Sequence, residues 1–138
     1  MRLSRDENKL MSFSFVNATK GNLSSIDRLP FSLMKDKILG KKYDLTLVFV
    51  STKEIRRLNK QYRKKDFPTD ILSFKIDNGT GEILMNETSA KKEAKKFERE
   101  YFNFLQFLFI HGCLHLKGFT HGSRMESEER KFRNKFGI

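Results

Sequence analysis

Residues 101–121 read YFNFLQFLFIHGCLHLKGFTH, and this stretch decides how the chain folds. Its apolar residues fall on two sides of a helix, one stripe being Tyr101, Phe104 and Leu108 and the other Phe102, Leu105, Phe109 and Leu116. A helix that is apolar on two sides packs in the middle of a protein. We therefore predict a central buried helix that ends at Gly118, because glycine readily takes the left-handed conformation that terminates helices.

Short strands are predicted around this helix, at residues 12–16, 43–50, 71–76 and 81–85. The second is rich in β-branched and aromatic residues, which favours an interior position in a sheet. The last two are joined by Asp77-Asn78-Gly79, whose side chains suit a tight turn, so we expect a hairpin.

Further helices are predicted at residues 24–39, 51–63 and 123–136, and the central helical region at 88–116 divides near residues 98–100. Ser24 or Ser25 would cap the first helix, Gly40 would end it, and Pro30 disturbs its early turns. Ser51, followed three residues later by Glu54, fits a capping box. The expected fold class is α+β (α/β-like), a small mixed β-sheet with a central buried helix, in a single domain over residues 1–138.

The chain is strongly basic, with 28 Lys and Arg against 17 Asp and Glu, a formal net charge of +11. Such a charge attracts polyanions, chiefly nucleic acid or an anionic membrane, although it also serves solubility alone. No segment is long and apolar enough to span a bilayer, and the N-terminus lacks a secretion signal. A single cysteine, Cys113, excludes an internal disulfide. We expect a cytoplasmic, soluble protein without a membrane partner.

All three histidines of the chain lie within eleven residues. His111 and His115 are four residues apart on the central helix, so their rings share one face. Gly118 lets the chain turn back and bring His121 to the same place. Three neutral ligands leave one position open, as in catalytic zinc sites. We predict one Zn²⁺ ion per chain, bound by these histidines, because buried structural histidines would each need other hydrogen-bond partners.

The spacing H-x-x-x-H-x-x-G-x-x-H is that of the metzincin proteases, except that Gly112 stands where they have a glutamate. That glutamate activates water for peptide hydrolysis, so a protease is disfavoured. Cys113 lies two residues from each helical histidine and points elsewhere, which indicates a packing residue rather than a ligand.

HGCLHLKGFTH resembles the signature H-G-x-L-H-L-x-G-Y-D-H of the YbeY family of rRNA maturation endoribonucleases. A second block, from Leu58 through Arg63 and Asp70 to Phe74, resembles the other motif of that family, and Gly81-Glu82-Ile83 and the acidic residues 126–129 resemble weaker ones. The chain departs from the family at Thr120, which replaces aspartate. The motif itself therefore carries no carboxylate beside the ligands.

The resemblance implies a metal-dependent endoribonuclease that cleaves single-stranded RNA in small-subunit rRNA maturation and ribosome quality control. It implies that His111, His115 and His121 hold the metal and that Arg63 is the catalytic basic residue in an RNA-binding cleft. The expected partners are RNA, above all small-subunit rRNA, and ribosome-associated proteins. The alternative is a non-catalytic, metal-stabilised ribosome assembly factor.

Basic residues around Arg63 would line the RNA-binding groove, namely Arg56, Arg57, Lys60, Lys64 and Lys65. Such charges give an affinity for RNA that falls steeply as the salt concentration rises. The alternative is that these residues form only a solvated helix face. The planar guanidinium of Arg63 suits a pair of phosphate oxygens. Water and the RNA 2′-hydroxyl both remain open as the nucleophile.

Overall fold

The computed structural model describes residues 12–138. These residues form four strands and six helices, and the helix Tyr101–Lys117 lies at the centre. In chain order the elements are β1 (Phe13–Ala18), α1 (Ser24–Asp27), α2 (Phe31–Leu39), β2 (Asp44–Val50), α3 (Thr52–Arg63), β3 (Ile71–Asp77), β4 (Thr80–Met85), α4 (Glu87–Lys96), α5 (Tyr101–Lys117) and α6 (Ser123–Phe136).

The four strands form one mixed sheet with the order β1-β2-β4-β3. β2 is parallel to both of its neighbours, whereas β3 and β4 form the antiparallel hairpin expected from the turn at residues 77–79. Leu45, Leu47 and Phe49 of β2 are fully buried, which confirms the interior position of this strand. The predicted α+β fold with a small mixed sheet is therefore confirmed.

Helix α5 lies at the centre, as its two apolar stripes predict. It packs against α2, α4 and α6 and also against β3 and β4. Phe104, Leu105 and Phe109 are almost completely buried within the main core. The predicted division before this helix also exists, because α4 ends at Lys96 and α5 begins at Tyr101. Glu100 starts α5, since its carboxylate accepts hydrogen bonds from the first exposed amides of the helix.

The prediction of one continuous helix over residues 24–39 is wrong. The segment forms two helices, α1 and α2, separated by residues 28–30. Pro30 precedes the first residue of α2, and its ring disfavours the helical conformation for the residue before it. The predicted serine cap is also wrong, because Leu23 occupies the N-cap position. Gly40 ends α2 with a positive φ of 94°, as expected.

The capping box at the start of α3 forms only in part within the described residues. The Ser51 hydroxyl accepts a hydrogen bond from the Glu54 amide at 3.2 Å. The Glu54 carboxylate accepts from Arg57 Nε at 2.6 Å instead of reaching back to the cap. The serine half of the box thus satisfies one of the amides that the helix itself leaves unpaired.

Lys35 is a fully buried lysine that connects the segments leading into β1 and β2. Its ammonium group donates to the Ser12 hydroxyl at 2.8 Å and to the Tyr43 carbonyl at 2.9 Å, and it also reaches the carbonyls of Gly40 and Lys41. Buried charges are tolerated when they are paired and hydrogen-bonded, and Asp36 supplies the counter-charge at 2.8 Å.

No helix within residues 12–138 has the length and apolar composition needed to cross a bilayer. The N-terminal segment is expected to carry no secretion signal. Residues 1–11 of that segment lie outside the described residues.

Candidate metal centre

The three histidines meet at the C-terminal end of α5. His111 and His115 lie one turn apart, with ring centroids 4.5 Å from each other. Gly118 ends the helix with a φ of 111°, and the chain then brings the ring of His121 to 5.1 Å from His115 and 5.4 Å from His111. One nitrogen of each ring lies within 4.8 Å of the others, so the three residues are positioned to bind one metal ion.

The hydrogen bonds of the two helical histidines determine which nitrogen is free for a metal. His115 Nδ1 lies 3.1 Å from the Phe119 carbonyl, which can only accept, so this nitrogen carries the proton. His111 Nδ1 lies 2.5 Å from Glu129 Oε1 and likewise donates. Both Nε2 atoms therefore direct lone pairs toward the same point.

These two Nε2 atoms are only 3.0 Å apart. Two lone pairs at that distance repel each other unless a cation lies between them. Two nitrogens bound at zinc distances of 2.0–2.1 Å in a tetrahedral site would be roughly 3.3 Å apart. The donor set thus fits a metal ion with little rearrangement.

The electrostatics of His115 favour the form that can bind a metal. Burial of the ring lowers the pKa of His115, and repulsion from His111 and His121 acts in the same direction. The Phe119 carbonyl and Glu129 oppose this effect only in part. A lowered pKa keeps the imidazole neutral, and a neutral imidazole is the ligand form.

Glu129 contacts a histidine of the cluster, and sequence analysis assigned it no role. It lies on α6, 18 residues beyond His111, and both side chains are largely shielded from solvent. A carboxylate that accepts the second N–H of a metal-binding histidine orients its ring and makes it more basic. The histidine motif itself carries no carboxylate, but the following helix brings one to His111. One signal was available in the sequence, because Met125, Glu129 and Phe132 repeat at helical spacing on one face of α6.

The histidines open into a cavity of about 670 Å³, and Arg63 lines the same cavity. The other lining residues are Tyr62, Thr69, Asp70, Ile71, Leu72, Ser73 and Phe74. This volume falls within the ~300–1,000 Å³ typical of small-ligand sites. The end of α3 and the edge of β3 thus bring the second motif of the sequence to the histidine motif, although about 50 residues separate them along the chain.

The other predicted basic residues lie outside this cavity. Arg57, Lys60 and Lys64 line a separate surface hollow with Gln61 and Asp66. Arg56 pairs with Asp66 at 3.0 Å, and Lys65 is exposed. Arg63 is thus the member of the predicted basic set that lies with the histidines.

Asp70 adds a carboxyl group to the histidine cavity. Burial raises the pKa of Asp70, and repulsion from Glu93 adds to the effect, while the amides of Asp70 and Ile71 and the Thr69 hydroxyl oppose it. A carboxyl group with a raised pKa exchanges its proton closer to neutral pH, as acid–base groups in catalytic sites do.

Gly112 occupies a tightly packed position on α5. A Cβ atom there would lie 3.0 Å from side-chain atoms of Ile71, Ser73 and Ile83. The glutamate that metzincins carry at this position would therefore require these side chains to shift. Cys113 is completely buried, and burial raises the pKa of its thiol well above the usual value, which agrees with a packing role.

Thr120 lies outside the cavity of the histidines. It is exposed and lines a different hollow with Lys117, Gly118, Phe119 and Arg124. Within residues 12–138, the carboxylate that contacts a ring of the histidine cluster is therefore contributed by Glu129 on the following helix.

The fold and the site together define a class: an α+β protein in which three histidines, positioned to bind a metal ion, open into a cavity with an arginine. The family model described as Endoribonuclease YbeY matches residues 14–136. The chain belongs to this family.

Several relatives are similar over most of their length. Endoribonuclease YbeY of Francisella philomiragia subsp. philomiragia is 36% identical, with 72% of this chain and 70% of the relative covered. The protein of the same name from Campylobacter jejuni subsp. jejuni is 37% identical, with 72% and 80% covered. The solution structure of TM1509 from Thermotoga maritima superposes with a TM-score of 0.63 at 26% identity and covers 91% of this chain and 89% of that one.

Proposed function

We propose that this protein is a zinc-dependent endoribonuclease that cleaves single-stranded RNA and acts in the cytoplasm in small-subunit rRNA maturation and ribosome quality control. The observation that carries the proposal is the shared cavity of Arg63 and the three histidines. A metal site alone is compatible with many reactions. A guanidinium in the same cavity selects for a negatively charged substrate, and the names of the relatives indicate that this substrate is RNA.

The charge of the chain supports a polyanionic substrate. The formal net charge is +11, and α3 leads toward the cavity with a series of basic residues. Arg56 and Arg57 are engaged with Asp66 and Glu54 in exposed ion pairs, which cost little to exchange for phosphate contacts. We propose that these residues, together with Lys60, Lys64 and Lys65, bind the RNA backbone and leave the chemistry to the cavity.

Each cavity residue has a defined task in the proposed reaction. Arg63 holds phosphate oxygens of the scissile bond through its planar fork of donors. The three histidines hold the metal, and His111 and His115 carry the proton on Nδ1 and the lone pair on Nε2. Zinc bound there would supply a Lewis acid and lower the pKa of water to near neutrality. Asp70 is the carboxyl group in the cavity that can accept or return a proton.

Two nucleophiles are compatible with this arrangement, and their products differ. Attack by water gives no 2′,3′-cyclic phosphate, whereas attack by the RNA 2′-hydroxyl produces one. Substrates with a single 2′-deoxy residue before the cut site separate the two, because they remain cleavable only by water.

One observation favours a second candidate, a non-catalytic, metal-stabilised ribosome assembly factor. Glu129 connects the ligand His111 on α5 to α6, so a metal at the site would also hold these two helices together. This candidate implies that His115→Ala unfolds the protein, whereas the nuclease proposal implies a folded, inactive variant. Circular dichroism and urea unfolding of His115→Ala distinguish them.

The decisive experiment compares cleavage of end-labelled single-stranded RNA by three zinc-loaded proteins purified in parallel. Arg63→Ala should lose at least about 100-fold in rate, since removal of one charge-stabilising donor costs on the order of 10²–10³. Arg28→Ala is the matched control, because Arg28 is exposed and lies outside the cavity. Equal cleavage by wild type and Arg63→Ala would contradict the role of Arg63, and the absence of cleavage by wild type would favour the assembly factor.

A further inference from the structure

A further hollow, of about 390 Å³, lies between α6 and the first half of α5 with the residues that precede it. Three arginines line it, Arg99, Arg130 and Arg133, together with the rings of Phe97 and Phe107. We call these five residues the arginine pocket. None of them belongs to the histidine cavity.

Two of the guanidinium groups share one aromatic ring. Arg99 Cζ lies 4.8 Å and Arg133 Cζ 5.7 Å from the centroid of Phe107. Two positive charges held this close repel each other. Burial of the guanidinium lowers the pKa of Arg99, and repulsion from Arg133 lowers it further. Such an arrangement is unfavourable unless an anion offsets the repulsion.

None of the three arginines forms an ion pair with a carboxylate within residues 12–138. Glu129 also lines the hollow, but its Oε1 accepts from His111, and Glu126 is exposed. The electrostatic influence on Arg99 comes from Arg133 and from neither of these carboxylates. The positive charge of the pocket is therefore available to an anion from outside.

Arg133 retains a hydrogen-bond donor that nothing in the described chain satisfies. Its Nε is buried and has no acceptor there within hydrogen-bond distance. A buried donor without a partner costs about 1–3 kcal/mol, so such groups usually have a function. Arg99 is held in place, because its Nη1 donates to the Asn103 side chain. The Arg133 guanidinium thus has an unused donor beneath the surface of the hollow, and the Arg99 guanidinium has a fixed position.

Planar guanidinium forks beside an exposed ring are the chemistry of a single-stranded nucleic-acid site, where arginines bind phosphates and bases stack on aromatics. Phe97 is 58% exposed at the rim of the hollow. Glu129 lines the hollow and contacts His111 in the metal centre. The contact between Glu129 and His111 thus links the hollow to the metal centre.

We propose that the arginine pocket binds a backbone phosphate of the RNA strand, beside the metal centre and separate from the histidine cavity. This proposal rests on the proposed function, because it takes RNA as the substrate. The pocket adds affinity and fixes where the strand lies relative to the metal. It takes no part in bond cleavage.

The test measures RNA binding by the full chain without metal, so that no cleavage is needed. Fluorescence anisotropy of a labelled single-stranded RNA of roughly 10 nucleotides is followed over a series of salt concentrations. For single strands the slope of log K against log salt changes by about 0.7 for each phosphate that is no longer neutralised. We expect Arg133→Gln and Arg99→Gln each to reduce the slope by about this amount, whereas Arg28→Gln, which removes the same charge elsewhere, leaves it unchanged.

Folding of the variants is checked by urea unfolding. Both substitutions relieve charge repulsion, so we expect the unfolding midpoint to stay the same or to rise. Arg130→Gln is the third variant, since Arg130 is exposed and its replacement leaves the core intact. Slopes for all three pocket variants equal to that of Arg28→Gln would overturn the proposal. Competition by polyglutamate that depends on the pocket, with an unchanged RNA slope, would overturn it in favour of an acidic protein partner.

The outcome is separable from the fate of the proposed function. The same proteins are loaded with zinc and tested for cleavage of the labelled RNA. If wild type does not cut and the slopes still differ, the nuclease proposal fails and the pocket stands. If wild type cuts and the slopes agree with the control, the pocket fails and the nuclease proposal stands.

Discussion

Removal of the Glu129 carboxylate should weaken metal binding without unfolding the protein. Glu129 Oε1 lies 2.5 Å from His111 Nδ1, and the two side chains are only 15% and 24% exposed. Water can therefore replace the carboxylate only poorly, and the ring of His111 loses both its orientation and the negative charge that strengthens Nε2 as a donor. Removal of a hydrogen-bond partner of a ligand typically costs 10–100-fold in metal affinity.

The structure allows this range to be divided between two variants. Glu129→Gln keeps an oxygen that can accept from Nδ1 and loses only the charge, so we expect about a tenfold loss of zinc affinity, or about 1.4 kcal/mol. Glu129→Ala loses the hydrogen bond as well, and we expect about a 100-fold loss, or about 2.8 kcal/mol.

Zinc affinity is measured by competition with a coloured chelator at fixed pH. The matched control is Glu126→Gln on the same helix, because Glu126 is exposed and the structure of residues 12–138 gives it no hydrogen bond to a histidine ring. The ¹⁵N chemical shifts of His111 provide a second readout, since they report the state of Nδ1 directly. Affinities for Glu129→Ala and Glu126→Gln that both equal wild type would refute the assignment of Glu129 as a positioning residue.

Three further expectations concern the packing around the site. Lys35→Met should lower the free energy of unfolding, measured in urea, by about 3 kcal/mol, because it leaves buried carbonyls such as that of Tyr43 without a donor. The control Lys37→Met, at an exposed position, should change this free energy by less than about 0.5 kcal/mol. Gly112→Ala should lower the free energy of unfolding by about 1–3 kcal/mol through overpacking. Adding Ile83→Val, which removes one of the contacting methyl groups, should restore part of that free energy. If it restores none, this contact is not the cause. Cys113 should react with thiol reagents only after denaturation, and Cys113→Ala should bind zinc like wild type, so a loss of affinity would identify the thiol as a ligand.

Most of the fold follows from local patterns in the sequence. The double apolar stripe of α5, the glycines that end α2 and α5, and the turn at residues 77–79 each act over a few residues, and each predicts the observed element. The failure at residues 24–39 has a local cause too. Pro30 predicts only a disturbed first turn, but it separates two helices, because it restricts Leu29 as well as its own backbone.

The features that sequence analysis missed depend on contacts between distant parts of the chain. β2 pairs in parallel with β4, although α3 and β3 lie between them in the sequence. This pairing is determined by tertiary packing. The contact of Glu129 with His111 spans 18 residues, and the packing angle of α6 on α5 decides which acidic residue of α6 reaches the ring. The proximity of the three histidines could be predicted from the sequence, since two of them lie one helical turn apart.

The close contact at Gly112 also restricts how this site can evolve. The histidine spacing is shared with metzincins, and a single codon change could place glutamate between the two helical ligands. In this fold a Cβ atom at that position already lies 3.0 Å from side-chain atoms of Ile71, Ser73 and Ile83, so all three side chains would have to shift. A glutamate there thus acts against the packing of α5 on β3 and β4. The packing between helix and sheet therefore disfavours the metzincin glutamate at a site that shares the metzincin histidine spacing.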